Sequence, residues 1–146
     1  MQDRYIAPQM RSFTPLFRFG DQLLVSTKIN DSAGGLFLLA TGSTRSSIST
    51  SSVKEFTKVT QAQNRRENGF NGEVKNFFLA DDVTLTFGTV KQRNLDMTAV
   101  DLSRISNNFG TEICGILGLS SLQKMDVKID YRDGLIEFNF DASRWR

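Results

Sequence analysis

Hydrophobic positions in this chain come in short runs. Phe and β-branched residues cluster between Gly, Asn and Asp, and no long stretch repeats with a 3.6-residue period. The pattern predicts a mainly β domain. Leu16 to Phe19 and Gln22 to Ile29 read as two strands around a tight Gly20-Asp21 turn, hence a hairpin. Asn30 to Gly34 is a polar loop, and Leu36 to Leu39 is the continuous apolar run expected of a strand buried on both faces. Ser43 to Ser52, rich in Ser and Thr, reads as a loop. Ser51 or Ser52 then caps a short helix over Val53 to Val59, with Val53, Phe56 and Val59 near one face.

Beyond Thr60 the chain turns polar and carries two Asn-Gly pairs, Asn68-Gly69 and Asn71-Gly72. These predict a mobile hairpin whose tip is Gly69, Phe70, Asn71 and Gly72, with Phe70 exposed. Asp81-Asp82 reads as a solvated turn. Val83 to Phe87 and Asn94 to Val100 alternate as two strands joined around Gly88. Asp101 to Gly110 is a loop or helical turn, Ile113 to Leu119 is apolar, and Ser120 to Met125 suggests a short helix with Leu122 and Met125 facing the core. Val127 to Tyr131 and Leu135 to Phe140 alternate around Arg132-Asp133-Gly134, the clearest hairpin in the chain. Asp130 and Asp133 are expected there on turn chemistry alone.

Composition narrows the chemistry. The 146 residues suit one domain with a sizeable core, and 39% hydrophobic with 23% charged residues is ordinary for a globular protein. A net charge of +2 with interspersed signs gives no electrostatic case for nucleic acid. The single Cys114 excludes an internal disulfide and a thiolate metal site, and reads as a small buried hydrophobe. The chain has no histidine, which excludes Ser-His and Cys-His nucleophilic catalysis, His-ligated zinc and imidazole acid–base chemistry. Carboxylates are the agents left, with no cofactor and no metal expected. No run is apolar enough to span a bilayer, and Met1-Gln2-Asp3-Arg4 begins no signal-peptide core. Localisation stays open, extracytoplasmic if a leader has been removed.

One stretch carries more information than the rest. Gly35-Leu36-Phe37-Leu38-Leu39 runs straight into Ala40-Thr41-Gly42-Ser43. Farther on come the Gly-bearing hairpin, Ile116-Leu117-Gly118, a helical turn and Asp130-Tyr131-Arg132-Asp133-Gly134. Each piece alone is a turn or a core strand. In this order, from about Leu16 to Phe140, the set resembles the retropepsin-like aspartyl proteases, particularly the single-domain bacterial type. The resemblance implies an acid-protease β-barrel, closed or partly open, with a flap hairpin and one or two short helices. It also implies an N-terminal extension over 1–15 and a protease domain over 16–146.

In that family the residue before Thr-Gly is Asp; here it is Ala40. Two Asp carboxylates a few ångströms apart share one proton, because like charges that close cannot both ionise. One then activates water while the other donates to the carbonyl oxygen. Gly42 is expected to permit the sharp turn, and a β-branched residue there to be strained and crowded against Ile116-Leu117-Gly118. The resemblance gives Thr41 a hydrogen bond across to a partner's loop and Ser43 one to the outer carboxylate oxygen. It puts Ile116, Leu117 and Gly118 beneath the loop, and Gly69, Phe70, Asn71 and Gly72 in the flap over bound peptide. One such motif per chain implies a homodimer acting on a peptide or protein substrate.

Alanine at 40 keeps the loop and deletes the acid. The otherwise intact motif favours an engineered Asp→Ala exchange that inactivates an endopeptidase. The alternative is a natural pseudoprotease serving as a peptide-binding or interaction module. A β-rich interaction domain without protease ancestry is a third possibility, distinguished by monomeric behaviour and the lack of a groove beside Gly42. Arg45 near the turn is either a substrate contact or an exposed charge.

Overall fold

The computed structural model describes residues 13–140 apart from 33, 55, 63–66, 70–71, 75–76 and 124. The strands are β1 (Thr14–Phe19), β2 (Gln22–Ile29), β3 (Gly35–Leu39), β4 (Ser47–Ser49), β5 (Val59–Ala62), β6 (Glu67–Gly69), β7 (Gly72–Val74), β8 (Phe77–Phe87), β9 (Val90–Val100), β10 (Ile113–Leu117), β11 (Met125–Asp130) and β12 (Leu135–Phe140). Among the described residues, three short helices join them: α1 (Thr50–Val53), α2 (Ser103–Phe109) and α3 (Leu119–Leu122). The protein is mainly β, as the apolar pattern predicts.

Six strands close a barrel in the order β2-β3-β10-β4-β9-β8, and β8 returns to β2 through Lys28–Thr86 and Ile29–Leu85. Closure leaves these strands with fewer open edges than a flat sheet has. β1 continues from β2 and carries the β12–β11 hairpin, while β5 lies outside β8. β1 takes in Thr14 and Pro15, which pair with Ile136 and Leu135. Among the described residues, two pairings are parallel, β3 with β10 and β4 with β9. Parallel neighbours need long crossovers, so residues far apart in sequence meet at the barrel's end.

β3 alternates between two cores. Phe37 faces a cluster with Leu16, Val25, Ile48, Leu85, Leu117 and Phe138, whereas Leu38 faces a second with Leu24, Leu102, Ile105, Ile113 and Ile116. Both side chains are fully buried, so each contributes roughly 1.5–3 kcal/mol over an exposed position. The apolar run in the sequence is therefore a strand with no solvent face. Gly115 stands opposite Phe37 because a Cβ there would overlap the Phe37 ring. Phe87 and Phe138 meet edge to face at 4.9 Å and tie β8 to β12.

Several local expectations change. The Ser/Thr-rich run contains β4, and the helix ends at Val53 rather than starting there. Ile48 and Val53 are both fully buried, and β4 is wedged between β10 and β9, so tertiary pairing overrides the loop-like composition. Val59 belongs to β5, and Phe56 stays exposed. Asp81 and Asp82 lie within β8, not in a turn. Asp82 instead receives a two-point ion pair from Arg93 on the neighbouring strand, at 3.0 and 2.8 Å. Asp101 to Gly110 contains a seven-residue helix, α2. α3 ends at Leu122, which is buried, and Met125 opens β11. The terminal hairpin and the β1–β2 hairpin form as expected, with Asp130 opposite Leu135 and Phe19 opposite Gln22.

Candidate active site turn

β3 delivers the chain into Ala40, whose N–H donates to the Leu117 carbonyl at 2.9 Å and so extends the parallel ladder by one step. The chain then reverses: Ser43 N–H donates back to the Ala40 carbonyl at 3.1 Å. Thr41 and Gly42 project from this reversal and are exposed, while Ala40 is half-buried with its methyl against the second core. Ser43 is buried, and its hydroxyl donates to the Arg45 carbonyl at 3.0 Å. The single hydroxyl hydrogen of Ser43 is thus directed along its own loop. Arg45 is exposed.

The turn is fastened to the segment after β10. Leu119 N–H donates to the Ser43 carbonyl at 2.8 Å, and Ser120 N–H donates to the Thr44 carbonyl at 3.0 Å. Gly118 N–H donates to Ser46 Oγ at 2.9 Å, and Ser46 N–H donates to Ser120 Oγ at 3.1 Å. Ser46 and Ser121 also share a hydrogen bond through their buried hydroxyls. Ala40, Ser43, Leu117 and Gly118 are therefore brought together by hydrogen bonds of the main chain and of Ser46. Ile116 lies one register step back, opposite Leu38. Ser46, Ser120 and Ser121 were invisible as site residues in sequence, where the first lies in a serine-rich run and the others open a helical turn.

The two glycines of the site exchange their expected weights. A Cβ on Gly118 would come within 2.5 Å of the Arg45 carbonyl oxygen and 2.8 Å of the Ser43 carbonyl oxygen. Backbone packs on backbone there, so only glycine fits. A Cβ on Gly42 would meet no atom within 4 Å, and the φ of Gly42 lies outside the left-handed region. The expected steric and conformational demand at Gly42 is therefore not present within one chain.

In the hairpin expected to serve as a flap, β6 and β7 pair antiparallel with Gly69 opposite Gly72. Phe70 and Asn71 lie outside the described residues. Cys114 is half-buried against the first core and fills the space over Gly35. A cavity of about 330 Å³, lined by Phe138, Met125, Lys91, Gln92 and Asn139 among others, shares no lining residue with the turn. Among the described residues, no helix is long and apolar enough to cross a membrane, and no three Cys, Asp or Glu side chains gather as a metal site would require.

No family model matches the sequence, and no curated protein matches it either. Among solved structures, the chain is similar to the crystal structure of a retropepsin-like aspartic protease from Rickettsia conorii, with a TM-score of 0.51. The likeness covers 88% of this chain and 90% of that one at 16% sequence identity. At that identity the shared property is the fold: a closed, mainly β barrel of the retropepsin-like, aspartic-protease kind.

Proposed function

We propose that this chain is an aspartic-endopeptidase domain, one half of a homodimeric site, and that it is inactive as written because Ala40 occupies the catalytic Asp position. The observation that carries the proposal is the Ala40–Ser43 turn. It leaves a buried barrel strand, is bonded to the segment following Leu117, and exposes Thr41 and Gly42 for a partner. In the paired form, two such turns meet at a two-fold axis, and the hairpin through Gly69 and Gly72 serves as the flap over a bound peptide. An engineered Asp→Ala exchange accounts for a loop that keeps every other part of its motif.

Restoring the acid tests the proposal. Ala40→Asp is expected to cleave members of a peptide library with an acidic optimum, since one carboxyl must be protonated while the other is ionised. A statine-type peptide should inhibit it. A variant that cleaves nothing and binds the inhibitor no better than the Ala40 chain would overturn the assignment.

A second function, that of a natural peptide-binding pseudoprotease, draws on the packing of the Ala40 methyl against the second core, which suits alanine as it stands. Such a protein binds peptides without the acid. Measurable peptide affinity in the Ala40 chain, unimproved by Ala40→Asp, is the outcome that favours it.

A further inference from the structure

The geometry points to Ser46 as the positioning residue of the candidate turn, the side chain that locks the loop bearing Ala40 to the segment beginning at Gly118. The inference rests on the turn being the seat of the reaction proposed above. Ser46 lies outside the Ala-Thr-Gly-Ser motif, and both it and Ser121 are buried. Its hydroxyl accepts the Gly118 N–H at 2.9 Å and bonds to the Ser121 hydroxyl, while its N–H donates to Ser120 Oγ at 3.1 Å. One residue thus bonds to three partners in a single short segment, 72 to 75 positions away in sequence. The anchor continues inward, because Gln92 Nε2 donates to the Ser121 carbonyl at 2.9 Å and joins the segment to β9.

The bonds from Ala40, Ser43, Leu119 and Ser120 N–H groups run between main-chain atoms, which any residue supplies. The contacts of the Ser46 hydroxyl depend on its side chain alone. Without it the Gly118 N–H is left buried and without an acceptor. Gly118 is hemmed in on the side of the turn, since the Arg45 and Ser43 carbonyls occupy the space where a Cβ would stand. Losing the hydroxyl therefore separates the two segments, and the position-40 side chain moves with its loop. A displacement near an ångström in such a site lowers turnover by about 100-fold.

The test has two arms. In the chain as written, amide hydrogen exchange is followed for Ser46→Ala, Ser46→Thr and Ser121→Ala. Ser46→Ala should accelerate exchange at Gly118 to Ser121 and in the turn by about tenfold or more, with the β11–β12 hairpin unchanged. Ser46→Thr keeps the hydroxyl and should restore protection. Ser121→Ala, which leaves the Gly118 acceptor in place, should give a smaller change and covers the case in which Ser46→Ala does not fold. In the Ala40→Asp background, Ser46→Ala should lower kcat by about 10- to 100-fold with KM little changed, and Ser46→Thr should rescue it. Unchanged exchange, or acceleration spread equally to the β11–β12 hairpin, overturns the role of Ser46. An inactive Ala40→Asp parent overturns the peptidase assignment alone, because the exchange arm still decides Ser46.

Discussion

Gly42 lies within the turn and Gly118 packs against it, yet they differ in what they tolerate. Gly118 meets two backbone carbonyls, neither of which can rotate away as a side chain would. Gly118→Ala is expected to cost about 1–3 kcal/mol, the usual range for overpacking, read as a lower midpoint in denaturant unfolding. Gly42→Ala has open space and an ordinary backbone conformation in the single chain, so its midpoint should match the parent's. If Gly42→Ala nonetheless weakens self-association, the constraint belongs to the partner chain and not to the fold. Comparing the two variants thus separates folding from pairing at a site where the sequence motif treats both as one.

Among the elements, α2 is preceded by a carboxylate that bonds to its first N–H. Asp101 Oδ1 accepts the Ser103 N–H at 2.9 Å, one of the unpaired donors at the start of the helix. That hydrogen bond holds the Asp101 carboxyl below its ordinary range. Asp82 moves in the same direction through its hydrogen bond from Arg93. A carboxyl depressed in the folded state adds stability above its unfolded pKa and loses it as pH falls through the folded value. The melting temperature should therefore fall on acidification below about pH 4. Asp101→Asn keeps an acceptor but not the charge, and should narrow the gap between neutral and acidic melting temperatures. An identical pH profile in parent and variant would show that this bond does not depend on ionisation. Acid stability matters functionally here, since the restored site is expected to work in the same range.

The whole molecule offers one motif per chain, so the proposed chemistry needs two. Leu119 strengthens that expectation, being half-exposed and bonded through its N–H to the Ser43 carbonyl beside the turn. Association should grow with concentration in sedimentation velocity and tighten with a bound peptide inhibitor, which contributes contacts to both subunits. The Ala40 chain should associate at least as well as Ala40→Asp near neutral pH, because two carboxylates no longer repel at close range. The difference should shrink as acidification neutralises one of them. A strict monomer at every concentration, with and without inhibitor, would remove the shared site.

The sequence by itself determined much of the fold. Its short apolar runs and Gly/Asn/Asp breaks located the β1–β2 and β11–β12 hairpins, because strand alternation and turn chemistry are local properties. The continuous run at Leu36 to Leu39 likewise marked a strand buried on both faces. The Thr-Gly-Ser turn after it was legible as a candidate site for the same reason: its residues are adjacent in the chain. Tertiary structure alone decided the rest. A serine-rich segment became β4 because β9 and β10 offered it partners and Ile48 a place in the core. Gly118, not Gly42, became the glycine that packing requires, because Arg45 and Ser43 reach it only after the barrel closes. Ser46 gained its hydrogen bonds from residues more than seventy positions away, a distance at which sequence pattern carries no signal and only the antiparallel pairing of β4 with β10 brings the groups into contact.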